Sequence, residues 1–202
     1  MAVSEVQIAK LALQHLGDRY DITSLTEAGT EAEQVNLVFA NVRDTLIREH
    51  PWKFALRYYT PSALIGTPPA RWGYMYTYPA DALKVWRIVN PLDPIGDNLP
   101  PIKWTVARNS NDTKVLLTNE AEPEFEYCKS VVDTGEFDAN FDMALSYRIA
   151  EAIAMPITGD LAIKQAMGQE ARTHLGTAKM EDANEGVNRE MSHDPDWLRA
   201  RN

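Results

Sequence analysis

Residues 43–57, RDTLIREHPWKFALR, decide how the chain is organised, because the spacing of the apolar side chains changes within them. Up to His50 these side chains recur with helical spacing, which predicts an amphipathic helix. From Trp52 they alternate with polar ones, which predicts a strand that carries Trp52 and Phe54 on one face. Pro51 separates the two patterns, since the residue before a proline avoids helical backbone. The sequence therefore predicts a helix that ends at His50 and leads directly into a strand.

Two helices are predicted on the N-terminal side of that strand. Ser4 and Gln7 have the spacing of a capping box at the start of the first helix, and Gly17 is expected to end it. Thr30 and Glu33 have the same spacing, which predicts a second capping box at the start of the helix that leads into the strand. The N-terminal part of the chain is thus predicted to be a helix pair.

On the C-terminal side, short segments with β-like patterns are separated by clusters of proline, glycine and asparagine, which predicts a β-rich insertion. Residues 109–112, NSND, lie between two of these segments and predict a four-residue hairpin connection. The segments with β-like patterns are residues 74–78, 84–89, 102–107, 113–117 and 124–131.

Helical spacing returns after the insertion. Phe137, Phe141 and Leu145 predict a third helix, which Pro156 is expected to interrupt, and a fourth helix is predicted from about residue 160 to 183. The remaining residues have mixed charge and little apolar periodicity, which predicts an extended C-terminal arm.

The predicted fold class is α+β, with a helical bundle of two N-terminal and two C-terminal helices, a central antiparallel β-rich insertion and the C-terminal arm. The bundle would consist of residues 1–51 together with 136–184. The insertion would consist of residues 52–135, and the arm of residues 185–202.

The charge of the chain bears on its partners. There are 29 acidic and 20 basic side chains among 202 residues, for a formal net charge of −9. The chain lacks the basic surface with which proteins neutralise phosphates, so tight DNA binding is not expected. An acidic wall can still line a passage for DNA, because it does not hold the polyanion in place. No apolar run approaches the roughly 18 to 20 residues of a membrane span, so a membrane partner is not expected.

Metal ions, disulfides and cofactors are not expected either. Cys128 is the single cysteine, and the four histidines are scattered without the ligand spacing of the usual zinc sites. Cys128 is predicted to be a small buried side chain, because no base is visible beside it. His15 and His50 are predicted at helix ends, where a cation suits the helix dipole.

The strongest catalytic candidate is a group of four glutamates that occupy every second position. On a strand they would share one face, with alternate residues about 6.6 Å apart, which suits the two carboxyls of a glycosidase. Pro123 breaks the regular ladder, however, and a solvent-facing or channel-facing acidic strip is the favoured interpretation. The alternative is a glycosidase or cell-wall hydrolase, which would be tail-associated if the family resemblance described below holds. The residues of the run are Glu120, Glu122, Glu124 and Glu126.

Two further groups are predicted to be structural. Aromatic residues in the insertion are expected to pack a sheet against helices or a neighbouring subunit, and a stacking platform for bases or sugars is disfavoured. Four scattered arginines are expected to be solvated, with pairing across subunits as the alternative. The aromatic residues are Trp72, Tyr74, Tyr76, Tyr78 and Trp86, and the arginines are Arg43, Arg48, Arg57 and Arg71.

Four short motifs occur in a particular order along the chain. They are Leu16-Gly17 after the first helix, Ser24-Leu25 in the loop that follows, Trp52-x-Phe54 after the second helix, and Tyr78-Pro79 before a strand. In this order, and with the closing helix pair, they resemble the tail tubular protein A family of bacteriophage head-to-tail adaptors. The resemblance extends over about residues 5–180.

The resemblance implies a structural protein and not an enzyme. It implies a ring of twelve copies below the portal, which extends the DNA channel without binding the genomic DNA specifically and carries the tail nozzle or tail tube. The ring would lie in the neck of the virion after assembly in the host cytoplasm. By analogy the arm docks on the portal protein, and the expected contact residues are Trp197, Leu198, Arg199 and Arg201.

Overall fold

The computed structural model describes residues 3–17, 22–61, 66–92 and 99–185. These residues contain four α-helices and two antiparallel sheets of three strands each, so the predicted α+β class is confirmed. The helices are α1 (Glu5–His15), α2 (Thr30–Glu49), α3 (Ala139–Thr158) and α4 (Leu161–Asn184). The strands are β1 (Leu56–Tyr59), β2 (Tyr74–Thr77), β3 (Ala82–Val89), β4 (Trp104–Arg108), β5 (Lys114–Thr118) and β6 (Glu124–Lys129).

The first helix begins and ends as its sequence predicts. The Ser4 hydroxyl accepts a hydrogen bond from the Gln7 amide at 3.2 Å, and the Gln7 side chain accepts one from the Ser4 amide at 2.8 Å. Gly17 follows the helix with a φ of 79°, in the left-handed region that favours glycine. The predicted capping box and helix end are therefore both confirmed.

The predicted capping box of the second helix is wrong. Thr30 is already the first helical residue, and Gly29 is the N-cap, whose carbonyl accepts a hydrogen bond from the Glu33 amide at 3.0 Å. The other end of α2 is as predicted, since the helix stops at Glu49 and His50 has extended backbone.

The strand after α2 begins later than predicted. Trp52 is buried and its indole N–H donates to the Leu46 carbonyl at 2.9 Å, which holds the tryptophan beneath the last turn of α2. The backbone therefore turns, with the Ala55 amide bonded to the Trp52 carbonyl at 3.0 Å, before pairing starts at Leu56. The tertiary position of Trp52 overrides the alternating pattern that predicted a strand from this residue.

The two sheets pack face to face. The first sheet has the strand order β1-β6-β3 and the second the order β2-β5-β4. The predicted hairpin is present between β4 and β5, where the Asn109 side chain accepts from the amides of Asn111 and Thr113 and Asp112 adopts a φ of 58°. The side chains buried between the sheets are Tyr76, Val85, Ile88, Leu116, Phe125 and Tyr127.

Helix α3 is the centre of the bundle, because α1, α2 and α4 all pack against it. Phe141, Leu145, Ile149 and Ile153 are fully buried along one face. Phe137 lies outside the helix, at the end of the short 3-10 turn Thr134–Glu136, so its predicted helical position is wrong.

The helix also continues through Pro156, where an interruption was predicted. Proline removes the amide that would bond to the Ala152 carbonyl, but both residues are exposed, so water can satisfy that carbonyl. The helix ends three residues later, at Gly159 with a φ of 67°.

Helix α4 has the predicted extent, with Asp160 as N-cap accepting from the Ala162 amide at 2.7 Å. It packs on α3 through small residues, among them Gly168, Ala171 and Ala178. A Cβ atom on Gly168 would lie 2.6 Å from a carboxylate oxygen of Glu151 on α3. The Glu151 side chain therefore approaches this buried glycine closely and occupies the space beside it.

Replacing Gly168 with leucine is expected to lower the free energy of unfolding by about 1–3 kcal/mol, because the larger side chain at this buried position would displace Glu151 and disturb its ion pair with Arg148. The matched control is Gly176→Leu on the same helix, where a Cβ atom meets no described atom within 4 Å. The control is expected to raise stability by up to about 1 kcal/mol, since leucine favours helix over glycine. Urea denaturation of both variants measures the difference, and equal effects would contradict the close approach.

Candidate functional surfaces

The four glutamates of the predicted acidic strip do not share a strand face. Strand β6 begins only at Glu124, and Glu120 and Glu122 lie exposed in the preceding turn. Pro123, between Glu122 and Glu124, is buried and has no amide N–H to donate to the strand pairing, so the strand starts after it. Glu124 is exposed as well, so only three of the four carboxylates lie at the surface.

Glu126 is a buried carboxylate that forms an ion pair with the partly exposed Arg87. Its side chain is only 7% exposed, and one carboxylate oxygen lies 3.0 Å from Nη2 and 3.2 Å from Nε of Arg87 on the neighbouring strand β3. Such a charge-assisted pair needs both partners, because removing one leaves a buried charge uncompensated. The prediction that Glu126 lies in the acidic strip is therefore wrong, and its carboxylate is removed from substrate access.

The aromatic residues of the insertion are divided among different surfaces. Tyr74 and Tyr76 pack between the two sheets, Trp86 packs against the core of the helical bundle, and Trp72 packs on the outer face of the second sheet. Side chains so divided cannot stack together on one ligand. This distribution agrees with the predicted packing role.

Cys128 is fully buried in strand β6, as predicted for a core cysteine. Burial raises the pKa of its thiol, which disfavours the nucleophilic thiolate.

A serine–histidine contact is also present, although residues so far apart in the sequence gave no signal for it. His15 Nε2 lies 3.1 Å from Ser146 Oγ, but Ser146 is 0% exposed and its hydroxyl donates to the Met143 carbonyl at 2.8 Å. The hydroxyl is thus closed to substrate. The imidazole stacks on the Tyr147 ring, which in turn stacks on His174.

The environment of His15 corrects the prediction that it is a helix-end cation. Burial lowers its pKa, and His174 lowers it further, so the neutral imidazole is favoured.

The prediction that the four arginines are solvated is wrong for Arg43. Its side chain is buried and lies 3.0 Å from the Asp44 carboxylate.

The end of α4 is clamped to the connection between α2 and β1. The buried Asp182 carboxylate lies 2.9 Å from His50 Nε2 and accepts the Lys53 amide at 3.0 Å. The Lys53 ammonium donates to the carbonyls of Asp182 and Glu185. The last described turn of α4 is therefore fixed to the bundle at the point where the predicted arm begins.

The residues predicted to dock on the portal, Trp197, Leu198, Arg199 and Arg201, lie outside the described residues. The clamp of Asp182 was not predicted, because its partners are about 130 positions away in the sequence.

A groove of about 420 Å³ runs between α2, α3 and α4. Arg148 at its edge lies 2.9 Å from Glu151 and 3.6 Å from Glu49. Lys164, by contrast, makes no salt bridge with the acidic side chains in the described parts of the chain. The lining residues are Asn41, Val42, Thr45, Leu46, Arg148, Glu151, Ala152 and Lys164.

Comparison of the chain with protein-family models and with curated proteins found no match. Similarity therefore assigns no family. Within the described ranges, no three histidine, cysteine, aspartate or glutamate side chains are grouped so that they could hold a metal ion. None of the helices there is both long and apolar enough to cross a bilayer.

Asp142, on α3, is another buried acidic residue. It is 5% exposed, and its Oδ1 atom has no hydrogen-bond partner among the described residues. Burial, with a further contribution from Asp138 one turn earlier, raises the pKa of Asp142 to about 7. A substantial fraction of this carboxyl is therefore protonated at neutral pH.

Asp142→Asn is expected to stabilise the protein at alkaline pH. The unfolded chain ionises this carboxyl near pH 4, whereas the folded protein does so only at about 7. Folding therefore becomes less favourable as the pH rises through this window, and asparagine removes that dependence. The variant should be more stable than the parent by about 2–4 kcal/mol at pH 8.

Urea denaturation between pH 4 and pH 8 measures this effect, and the difference between variant and parent should shrink toward pH 4. Glu170→Gln, an exposed substitution that changes the net charge equally, is the control and should change stability by less than about 0.5 kcal/mol. A stabilisation by Asp142→Asn that is equal at both ends of the pH range would contradict the assignment.

Proposed function

We propose that this protein is a structural head-to-tail adaptor of a tailed bacteriophage. In this role it forms a ring below the portal, extends the DNA channel and provides the platform on which the tail is attached. The observation that carries the proposal is the order of elements: a helix pair, two small antiparallel sheets and a second helix pair. The same order accompanies the motifs that resemble the adaptor family.

The positions of these motifs support the proposal. Leu16 and Gly17 form the end of α1, and Trp52 and Phe54 form the joint between α2 and β1. Both rings of the joint lie in the core of the bundle, where they pack on α3. The motif therefore marks a connection between the helices and the sheets, which a shared architecture would retain.

The clamp at the end of α4 suits the proposed attachment. Asp182 and Lys53 fix the last described turn of α4, so that the point from which the chain continues after Glu185 is held in place. Under this proposal those residues contact the portal protein, with Trp197 and Leu198 as apolar anchors. The tail nozzle or tail tube binds elsewhere on the ring.

The net negative charge of the chain suits a passage for DNA better than a DNA-binding site. The chain has a formal net charge of −9, and twelve copies in a ring multiply that charge around the channel. A negative or neutral wall repels the phosphates and leaves the genome free to slide. We place the ring in the neck of the virion, assembled in the host cytoplasm.

The structure gives little support to the hydrolase alternative. A glycosidase requires two accessible carboxyl groups flanking the scissile bond. Glu126 is buried against Arg87, while Glu120, Glu122 and Glu124 lie exposed at the surface. A solvated position does not provide the burial that raises the pKa of a general acid. A non-enzymatic role is therefore our proposal.

Mass photometry of the full chain, alone and mixed with portal rings of the same phage, tests the assignment. A portal-dependent gain in mass near twelve copies is expected. The variant Trp197→Ala/Leu198→Ala should lose most of this gain, because it removes the proposed anchors. The control Met180→Ala removes an exposed apolar side chain of α4 and should retain it.

The failure of intact protein to add to portal rings would contradict the adaptor assignment. A full gain in mass by the double variant would leave the adaptor in place but would show that Trp197 and Leu198 are not its anchors.

A further inference from the structure

The groove between α2, α3 and α4 combines an apolar floor with a positive edge. Val42 of α2 and Ala152 of α3 supply apolar surface above the buried Leu46, and the volume of about 420 Å³ falls within the usual range of binding pockets. Apolar surface of this kind is stabilised when another apolar group covers it.

Lys164 determines which kind of ligand suits the groove. Arg148, the other cation of the lining, is already paired with Glu151 and Glu49. Lys164 forms no salt bridge within the part of the chain that the structure describes, although its side chain is partly buried. The groove therefore favours a segment that presents a large apolar side chain close to a carboxylate.

The chain itself contains such a segment. Residues 192–198 read SHDPDWL, so that Asp194 and Asp196 closely precede the adjacent apolar pair Trp197 and Leu198. These residues lie outside the described ranges.

The length of chain after α4 is sufficient to reach the groove. Twelve residues separate Glu185 from Trp197, and an extended chain of this length spans up to about 40 Å. Asp182 contacts His50, so α4 ends beside the end of α2. Thr45 is five residues back along α2 from His50, which corresponds to about 8 Å. Lys164 is eighteen residues back along α4 from Asp182, about 27 Å.

We propose that this groove binds the chain's own C-terminal segment, with Trp197 and Leu198 on the apolar floor and Asp194 or Asp196 paired with Lys164. The contact does not depend on the portal assignment. If both hold, the side chains that anchor the arm to the portal are stored in the groove of the free subunit, and the portal must compete for them.

Disulfide trapping in the full chain tests the contact. The double variant Thr45→Cys/Leu198→Cys places one thiol in the lining and one in the segment, while the native Cys128 is fully buried and does not compete. Under mild oxidation we expect a disulfide within one chain, identified by mass spectrometry of the linked peptides. Adding Lys164→Glu should lower its yield severalfold, because the new carboxylate repels Asp194 and Asp196.

The matched control is Thr173→Cys/Leu198→Cys. Thr173 is exposed and lies nine residues after Lys164 on α4, which places it on the opposite side of that helix from the groove. It lies nine residues back along α4 from Asp182, about 14 Å, so the segment can reach it as well, and a segment without a preferred site would also react there. Equal yields from the two pairs, or a disulfide formed only between two chains, would overturn the proposal.

Discussion

The packing of aromatic rings around Phe141 joins the two parts of the molecule. Phe141 lies on the buried face of α3, and its ring centroid is 5.0 Å from that of Trp52, 4.9 Å from that of Phe54 and 4.9 Å from that of Phe137. Trp52 and Phe54 belong to the connection that leads from α2 into the first sheet. Their burial against α3 therefore fixes the sheets relative to the bundle, in addition to the apolar area it removes from water.

The same connection also determines where α4 ends. His50 and Lys53, on either side of Pro51 and Trp52, provide the partners of the buried Asp182. An aspartate is stable at this depth because imidazole and amide groups satisfy its oxygens. One short stretch thus holds the end of α2, the start of the first sheet and the end of α4.

Several features that depend on neighbouring residues were predictable from the sequence, although the capping box of Thr30 and the interruption at Pro156 were predicted and are absent. The capping box of Ser4, the helix end at Gly17 and the Asn109 hairpin all depend on interactions within a few positions, and each is present. The order of helices and strands followed from apolar periodicity in the same way. The late start of β1 was not predictable, because it depends on where the Trp52 indole is buried.

The candidate surfaces were less predictable than the fold. A run of alternating glutamates gives no indication that Arg87 will bury one of them, and the groove is formed by three helices whose packing the sequence does not specify. The contact between His15 and Ser146 likewise joins residues 131 positions apart. Such sites arise from tertiary packing, whereas a local pattern only shows which residues are available.

The proposed role as a head-to-tail adaptor draws on an α+β subunit whose last helix is anchored at this joint and on a net negative charge that suits a channel for DNA. Cryo-electron microscopy of the neck of the virion tests this role most directly. If the proposed role is right, a ring of twelve copies lies between portal and tail, with this fold visible in each copy and no continuous lysine and arginine lining on the inner wall. A neck resolved to side chains in which this fold is absent would contradict it.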